Sequence, residues 1–384
     1  MKRFSLIFLF FIAFTLNVGA KNQHNMLATS YAIDAGGALW AIMLNKDGNL
    51  KIDKSQDLGQ TWITHRILNS TERISAHGEN RPKLVFGPKG EFIITYTKPL
   101  GKPFTGEIRL IRSEDGHFFT DPITLHDDRQ EITHRFESMT FDKQGYLHVV
   151  WIDKRDQEEV IKKTGRKDSY SGAAIYRKVS ADSGKSFGPD EKLADHSCEC
   201  CRIAIIPSDH GVAAMWRHVF QGSIRDHAFL RWSSHSKQNN IVRSTYDDWK
   251  IEVCPHHGPA LAINAAGGYH AVWFGEKSGK FAVRYGKLSD DGKPVGKIID
   301  IPDRLAEHAD IISGGNTVVV TWRSFDGKKT TIRSMISNDN GASFHQLING
   351  SSDQENDYPK LIEIKGRFYI LWRTESKINS YEIR

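Results

Sequence analysis

Along nearly the whole chain, short apolar runs alternate with polar turns, and the runs come in pairs. The first member of each pair falls near residues 27–33, 82–87, 136–142, 202–207, 259–264, 308–313 and 359–364. The second covers Ala38–Leu44, Glu91–Thr97, Tyr146–Ile152, Val212–Arg217, Tyr269–Phe274, Thr317–Arg323 and Arg367–Arg373, after a turn containing Gly, Asp or Asn. Runs of this length between turn residues read as β-strands in hairpins. Several second strands end in tryptophan, at Trp151, Trp216, Trp273, Trp322 and Trp372, which is the mark of a core residue repeated between neighbouring units. The units number seven at a period of about 50 residues, the length of one four-stranded propeller blade. The pattern predicts an all-β propeller of seven blades. Its last unit stops after a third strand, Ser380–Arg384, so the outer strand of that blade is expected from the other end of the chain, near residues 22–27.

A second repeat lies in the turns: Ser55-Gln56-Asp57-Leu58-Gly59-Gln60-Thr61-Trp62, Ser180-Ala181-Asp182-Ser183-Gly184-Lys185-Ser186-Phe187, Ser337-Asn338-Asp339-Asn340-Gly341-Ala342-Ser343-Phe344 and the shorter Ser113-Glu114-Asp115-Gly116. Asp and Ser side chains bind turn amides, Gly takes a positive φ, and the aromatic packs back on the sheets. This pattern resembles the Asp box of the sialidase-type β-propellers, and the resemblance covers nearly all of the chain. Sialidases have six blades, so a six-bladed ring whose terminal segments share a blade is the alternative.

The first residues change the picture of where the protein acts. Basic Met1-Lys2-Arg3, an apolar run from Phe4 to Leu16 and Val18-Gly19-Ala20 make a signal peptide over residues 1–20, leaving a single propeller domain over 21–384 in a secreted or periplasmic protein. No other run approaches the length of a membrane span. The net charge of +6 is spread over both signs without a basic block, which argues against nucleic acid and allows a modest pull on anionic ligands.

In a propeller, the starts of innermost strands and the ends of second strands ring one mouth of the central channel. Cysteine, histidine, arginine and carboxylates collect at those positions. The four cysteines are Cys198, Cys200 and Cys201 at one strand start and Cys254, before His256 and His257, at the next. Three readings stand open. If all are oxidised, Cys198–Cys201 with Cys200–Cys254 is the pairing of least strain, clipping adjacent units. If reduced, Cys198, Cys200, Cys201 and Cys254 with His256, His257 and His308 suit copper or zinc. The Cys198-x-x-Cys201 spacing also fits a redox pair.

Arg217, Arg323 and Arg373 follow Trp216, Trp322 and Trp372, so the repeat aims three guanidiniums at one mouth, where Arg81 and Arg155 join them. Such a cluster suits a carboxylate, sulfate or phosphate, and the alternative is pairing with carboxylates such as Asp153, Glu276 and Glu307. Sialidases are similar in using an arginine triad on the substrate carboxylate, with a tyrosine nucleophile, a glutamate helper and an aspartate acid/base. The resemblance implies that role for Arg81, whose place before Pro82 is like an Arg-x-Pro motif lacking its middle residue. It implies Tyr358 as nucleophile, Glu355 as helper, and Asp127, Asp128 or Asp153 as acid/base. The expected function is an exported sialidase-like propeller binding or hydrolysing an anionic glycan or other carboxylated ligand. The alternative is a non-hydrolytic propeller holding copper or zinc.

Overall fold

The computed structural model describes residues 27–209, 211–235, 240–253 and 255–384. Its strands form seven antiparallel sheets, each ordered in space as in sequence. Blade 1 holds Ser30–Ile33, Leu39–Leu44, Leu50–Ser55 and Ile63–Leu68; blade 2 holds Lys83–Phe86, Phe92–Pro99, Gly106–Ser113 and Ile123–Thr124. Blade 3 holds His134–Phe141, Leu147–Asp153, Ala173–Ser180 and Glu191–Ser197; blade 4 holds Ala204–Ser208, Gly211–Arg217, His227–Trp232 and Val242–Arg243. Blade 5 holds Ala260–Ile263, Tyr269–Lys277, Lys280–Leu288 and Pro294–Asp300; blade 6 holds Ala306–Gly314, Thr317–Phe325, Thr330–Ser337 and His345–Ser352. Blade 7 has three strands among the described residues, Lys360–Ile364, Arg367–Arg373 and Ile378–Ile383.

The core lies between blades. Seven apolar clusters are found, and each spans one pair of neighbouring blades. The last, Leu39 with Ile362, Ile364, Tyr369 and Leu371, joins blade 7 to blade 1 and closes the ring. A seven-membered ring of interfaces rules out the six-bladed alternative. Trp151, Trp216, Trp273, Trp322 and Trp372 are among the most completely buried side chains, as their repeat position predicts. The seven expected inner strands and their partners all form. The fourth strand expected near residues 22–27 and the leader over residues 1–20 fall outside the described residues, apart from residue 27 itself.

Three of the four Ser-x-Asp turns share one hydrogen-bond scheme, and in the shorter fourth Asp115 accepts from His117 N and Phe118 N instead. In the first, the Ser55 hydroxyl donates to Asp57 Oδ1 at 2.8 Å and accepts from Gly59 N at 2.9 Å, while Thr61 N donates to Asp57 at 2.9 Å. Ser180, Asp182 and Ser186, and Ser337, Asp339 and Ser343, repeat it. Gly341 shows why glycine is required there: its φ is +77°, and a Cβ would stand 1.8 Å from the Tyr285 hydroxyl.

One element the strand pattern does not predict is the helix Arg155–Thr164, between the second and third strands of blade 3. Asp156 and Glu158 near its start, Lys162 and Lys163 near its end and a left-handed Gly165 cap satisfy its termini.

Candidate active site

The starts of the inner strands converge on a central cavity of about 280 Å3, lined among others by Thr29, Glu79, Arg81, Lys83, Arg202 and Tyr358. The channel narrows onto an ionic network. Glu79 is buried and receives Arg202 N at 3.1 Å, Arg202 Nη1 at 3.1 Å and His308 Nδ1 at 3.3 Å. Burial opposes its charge, but Arg202 and His308 outweigh that and hold the carboxyl well below the usual carboxylate range. Arg81 donates to both oxygens of Asp357, at 2.9 and 3.2 Å, and to Thr29 O at 2.8 Å. Thr29 N donates in turn to Asp357 Oδ2 at 2.6 Å, and Arg373 Nη1 donates to Thr29 Oγ1 at 2.9 Å. Deeper in, Glu137 and Lys83 stand 3.7 Å apart.

Tyr358 sits at the centre of this network. Its ring lies on His308 with centroids 3.5 Å apart and planes 10° from parallel, and His308 stacks in turn on His257 at 4.2 Å and His257 on Phe274 at 4.3 Å. The Arg81 and Arg323 guanidiniums stand 5.0 and 5.7 Å from the Tyr358 ring centroid. Arg323 Nε is 2.7 Å from Glu307 Oε1, an ion pair too poorly aligned to count as a hydrogen bond. Burial, then the Glu79 charge, push the Tyr358 hydroxyl up. Burial also pulls His257 down to about 2 and lowers His308, so both imidazoles are neutral.

The ring thus brings Arg81, Arg323, Arg373 and Tyr358 together, from blades 2, 6 and 7. It does not bring the other expected residues to them. Arg217 is buried and donates to three carbonyls, Arg225 O at 2.9 Å, His257 O at 3.1 Å and Phe274 O at 2.7 Å, so its work is to join blade 4 to blade 5. Arg155 opens the helix of blade 3, paired at 2.7 Å with both Asp153 and Asp190. Asp153 is fully buried and accepts from Trp151 Nε1 at 2.8 Å as well as from Arg155, which leaves it no route to a ligand. Asp127 and Asp128 also lie off the channel: Asp127 is paired with Lys178, and Asp128 accepts from Gln130. Glu355 is exposed; the carboxylates whose charge acts on Tyr358 are Glu79 and Asp357. Glu79, two residues before Arg81, has no signal in the sequence, since a lone glutamate beside a strand start carries no pattern.

The expected Cys/His cage divides in two. Cys198, Cys200 and Cys201 are buried in the apolar interface of blades 3 and 4. Cys198 Sγ stands 3.8 Å from Cys201 Sγ and 4.0 Å from Cys200 Sγ, contacts and not covalent bonds, so the expected Cys198–Cys201 bridge is not formed. Arg225 Nη1 donates to Cys198 Sγ at 3.4 Å. The Cys201 thiol, and behind it Arg217 and Arg225, acidify Cys198, while Cys201 itself is raised. Cys254 lies outside the described residues, and His256 is exposed at the rim. His257, Glu307 and His308 gather within 4.8 Å. Their rings are 13° from parallel, however, so the in-plane lone pairs of His257 and His308 run side by side and do not converge on one ion at the roughly 2.1 Å a metal requires.

No protein-family model matches the sequence, and no curated protein resembles it. Solved structures do resemble the fold. An α-L-arabinanase of Penicillium chrysogenum, complexed with arabinobiose, is 14% identical over 94% of this chain and 93% of its own, with a TM-score of 0.52. A Hadza microbial sialidase is 13% identical over 87% of this chain and 73% of its own, at 0.50. The polysaccharide lyase Uly1 is 8% identical over 92% of this chain and 88% of its own, at 0.54. At such identities, what this chain shares with these proteins is the β-propeller fold.

Proposed function

We propose that this chain is an exported propeller that binds a carboxylated glycan at the channel mouth. The observation that carries the reading is the gathering of Arg81 and Arg323 around Tyr358, with Arg373 joined to Arg81 through Thr29 and making no ion pair among the described residues. A mouth with spare guanidinium donors beside an aromatic ring suits the carboxylate and the apolar face of an acidic sugar. The names of the structural neighbours, an arabinanase, a sialidase and a polysaccharide lyase, support a carbohydrate ligand. Export rests on the leader-like residues 1–20 and is tested by fractionating cells that express the full chain.

Calorimetric titration with sialyllactose, oligogalacturonate and a neutral arabino-oligosaccharide tests the ligand. An acidic glycan is expected to bind, with Kd raised about tenfold or more in Arg373→Ala, the loss of one charged hydrogen bond. Equal binding of the neutral sugar would sink the reading.

The copper or zinc reading keeps one supporting observation. The Cys198 and Cys201 sulfurs, 3.8 Å apart, match one edge of a thiolate set around an ion at about 2.3 Å. Elemental analysis of protein purified without chelator tests it, and less than a tenth of an equivalent of either metal rejects it.

A further inference from the structure

The acid and base groups at the mouth discriminate between ways of cleaving a glycan. Hydrolysis by two carboxyl groups needs one held protonated and another free to attack or to activate water. Here Asp357 is tied to Arg81, Glu307 to Arg323, Glu79 to Arg202 and His308, and Glu137 to Lys83. Each of these four carboxylates is engaged by a basic partner, which leaves none of the four free to attack or to activate water. Hydrolysis through Tyr358 as nucleophile needs a base to take the phenolic proton, and burial with the Glu79 charge keeps that proton in place.

A proton donor, Tyr358, then stands beside a proton acceptor, His308. Because His308 Nδ1 faces Glu79 Oε1 at 3.3 Å, Nδ1 carries the hydrogen and Nε2 the lone pair. The two rings are stacked face to face with centroids 3.5 Å apart, which sets the phenol and the imidazole side by side. Arg323 and Arg373 flank the same segment, Arg323 Nη1 reaching Asn356 O and Arg373 O accepting from Asp357 N.

Building on the carboxylated-glycan reading, we propose that the mouth cleaves a uronate-containing polysaccharide by β-elimination, with His308 as base, Tyr358 as acid, and Arg323 and Arg373 holding the uronate carboxylate. His308 Nε2 takes the proton from the carbon bearing the carboxylate. The electrons of that C–H bond become the C4=C5 double bond as the C4–O bond breaks. The departing oxygen keeps the bonding pair and takes the Tyr358 proton, and the imidazolium returns a proton to the phenolate through water. The arginines stabilise the negative charge that the carboxylate gathers during proton removal. No water is consumed and no oxidant or metal is needed.

The experiment incubates the purified full chain with polygalacturonate, alginate, hyaluronan and chondroitin. Ultraviolet absorbance of the conjugated C4=C5 product, new reducing ends and binding are followed in parallel. Absorbance rising in step with reducing ends on at least one polymer is the expected result. His308→Gln and Tyr358→Phe should each lower that rate at least about a hundredfold while binding changes less than about threefold. Reducing ends without the chromophore, or binding without cleavage, would overturn elimination and leave the carboxylated-glycan reading standing. Absence of binding to all four polymers and to sialyllactose would overturn both. If both folded variants keep the wild-type rate, the assignment of His308 and Tyr358 is wrong; the wild-type product decides the reaction class even if a variant fails to fold.

Discussion

Glu79 accepts a hydrogen bond from His308 at 3.3 Å across 229 residues of sequence, linking the inner strand start of blade 2 to that of blade 6 across the channel. Arg202, from blade 4, completes the link. Three blades that share no interface core are thereby held to one carboxylate, and the orientation of the ring under Tyr358 depends on it.

Glu79→Leu should therefore be costly. It leaves Arg202 and His308 facing a buried apolar group, and removal of one partner from a buried ionic network costs about 3–5 kcal/mol. Urea unfolding measures this, and a loss below about 1 kcal/mol would show that Arg202 finds other partners.

Stability should fall on mild acidification. Burial lowers His218 and His270 to about 4, His126 to about 3 and His257 to about 2. The unfolded chain protonates these imidazoles below about pH 6.5 while the folded chain does not, so the unfolded state binds the extra protons. The contribution is complete above that pH and is lost progressively below it. Thermal melts should move down from pH 7.5 to pH 5.5; a flat profile over that range contradicts the neutral buried histidines.

Two glycines with positive φ separate conformation from packing. Gly90, at φ +87°, has open space where a Cβ would go, so Gly90→Ala should cost about 1–2 kcal/mol for the left-handed backbone alone. Gly341→Ala meets the Tyr285 hydroxyl as well and should cost about 3 kcal/mol or more. Equal losses in denaturant melts would show that the turn has moved aside.

The tryptophans offer a matched pair. Trp322 Nε1 donates to Asp303 at 2.8 Å, whereas Trp216 Nε1 has no partner among the described residues. Trp322→Phe removes one hydrogen bond from Asp303, which keeps Arg333 and Leu305 N as partners, and should cost about 1 kcal/mol more than Trp216→Phe. The same loss in both would assign the tryptophans a packing role only.

Cys200 is expected to pair with Cys254, leaving thiols at Cys198 and Cys201. Denatured, unreduced protein should show two reactive thiols, and a peptide map should show that single cross-link. A Cys198–Cys201 cross-link, or four thiols, would contradict it.

Much of this architecture is legible in the sequence because blade repeats act locally. Apolar runs of strand length, a glycine where the turn needs positive φ and a tryptophan at a fixed place in each blade are each read within one unit. Blade number was harder to read: six and seven both fit the terminal segments, and the seven interblade cores decide between them.

The candidate site at the mouth divides in the same way. The sequence by itself determined that strand starts and strand ends carry Arg81, Arg323, Arg373, Tyr358 and His308, since the repeat places those positions on one face. It could not tell Arg217 from Arg373, because both follow a tryptophan and differ only in what the next blade offers: carbonyls for one, a threonine hydroxyl for the other. Nor could it find Glu79, or separate the Cys198–Cys201 run from the histidines. Partners across a ring are chosen by the closure of seven blades, and distances between blades are written nowhere in the order of residues. Closure set Cys198, Cys200 and Cys201 in an apolar interface and turned that run into core, while three arginines, a tyrosine and a glutamate from three blades became the mouth.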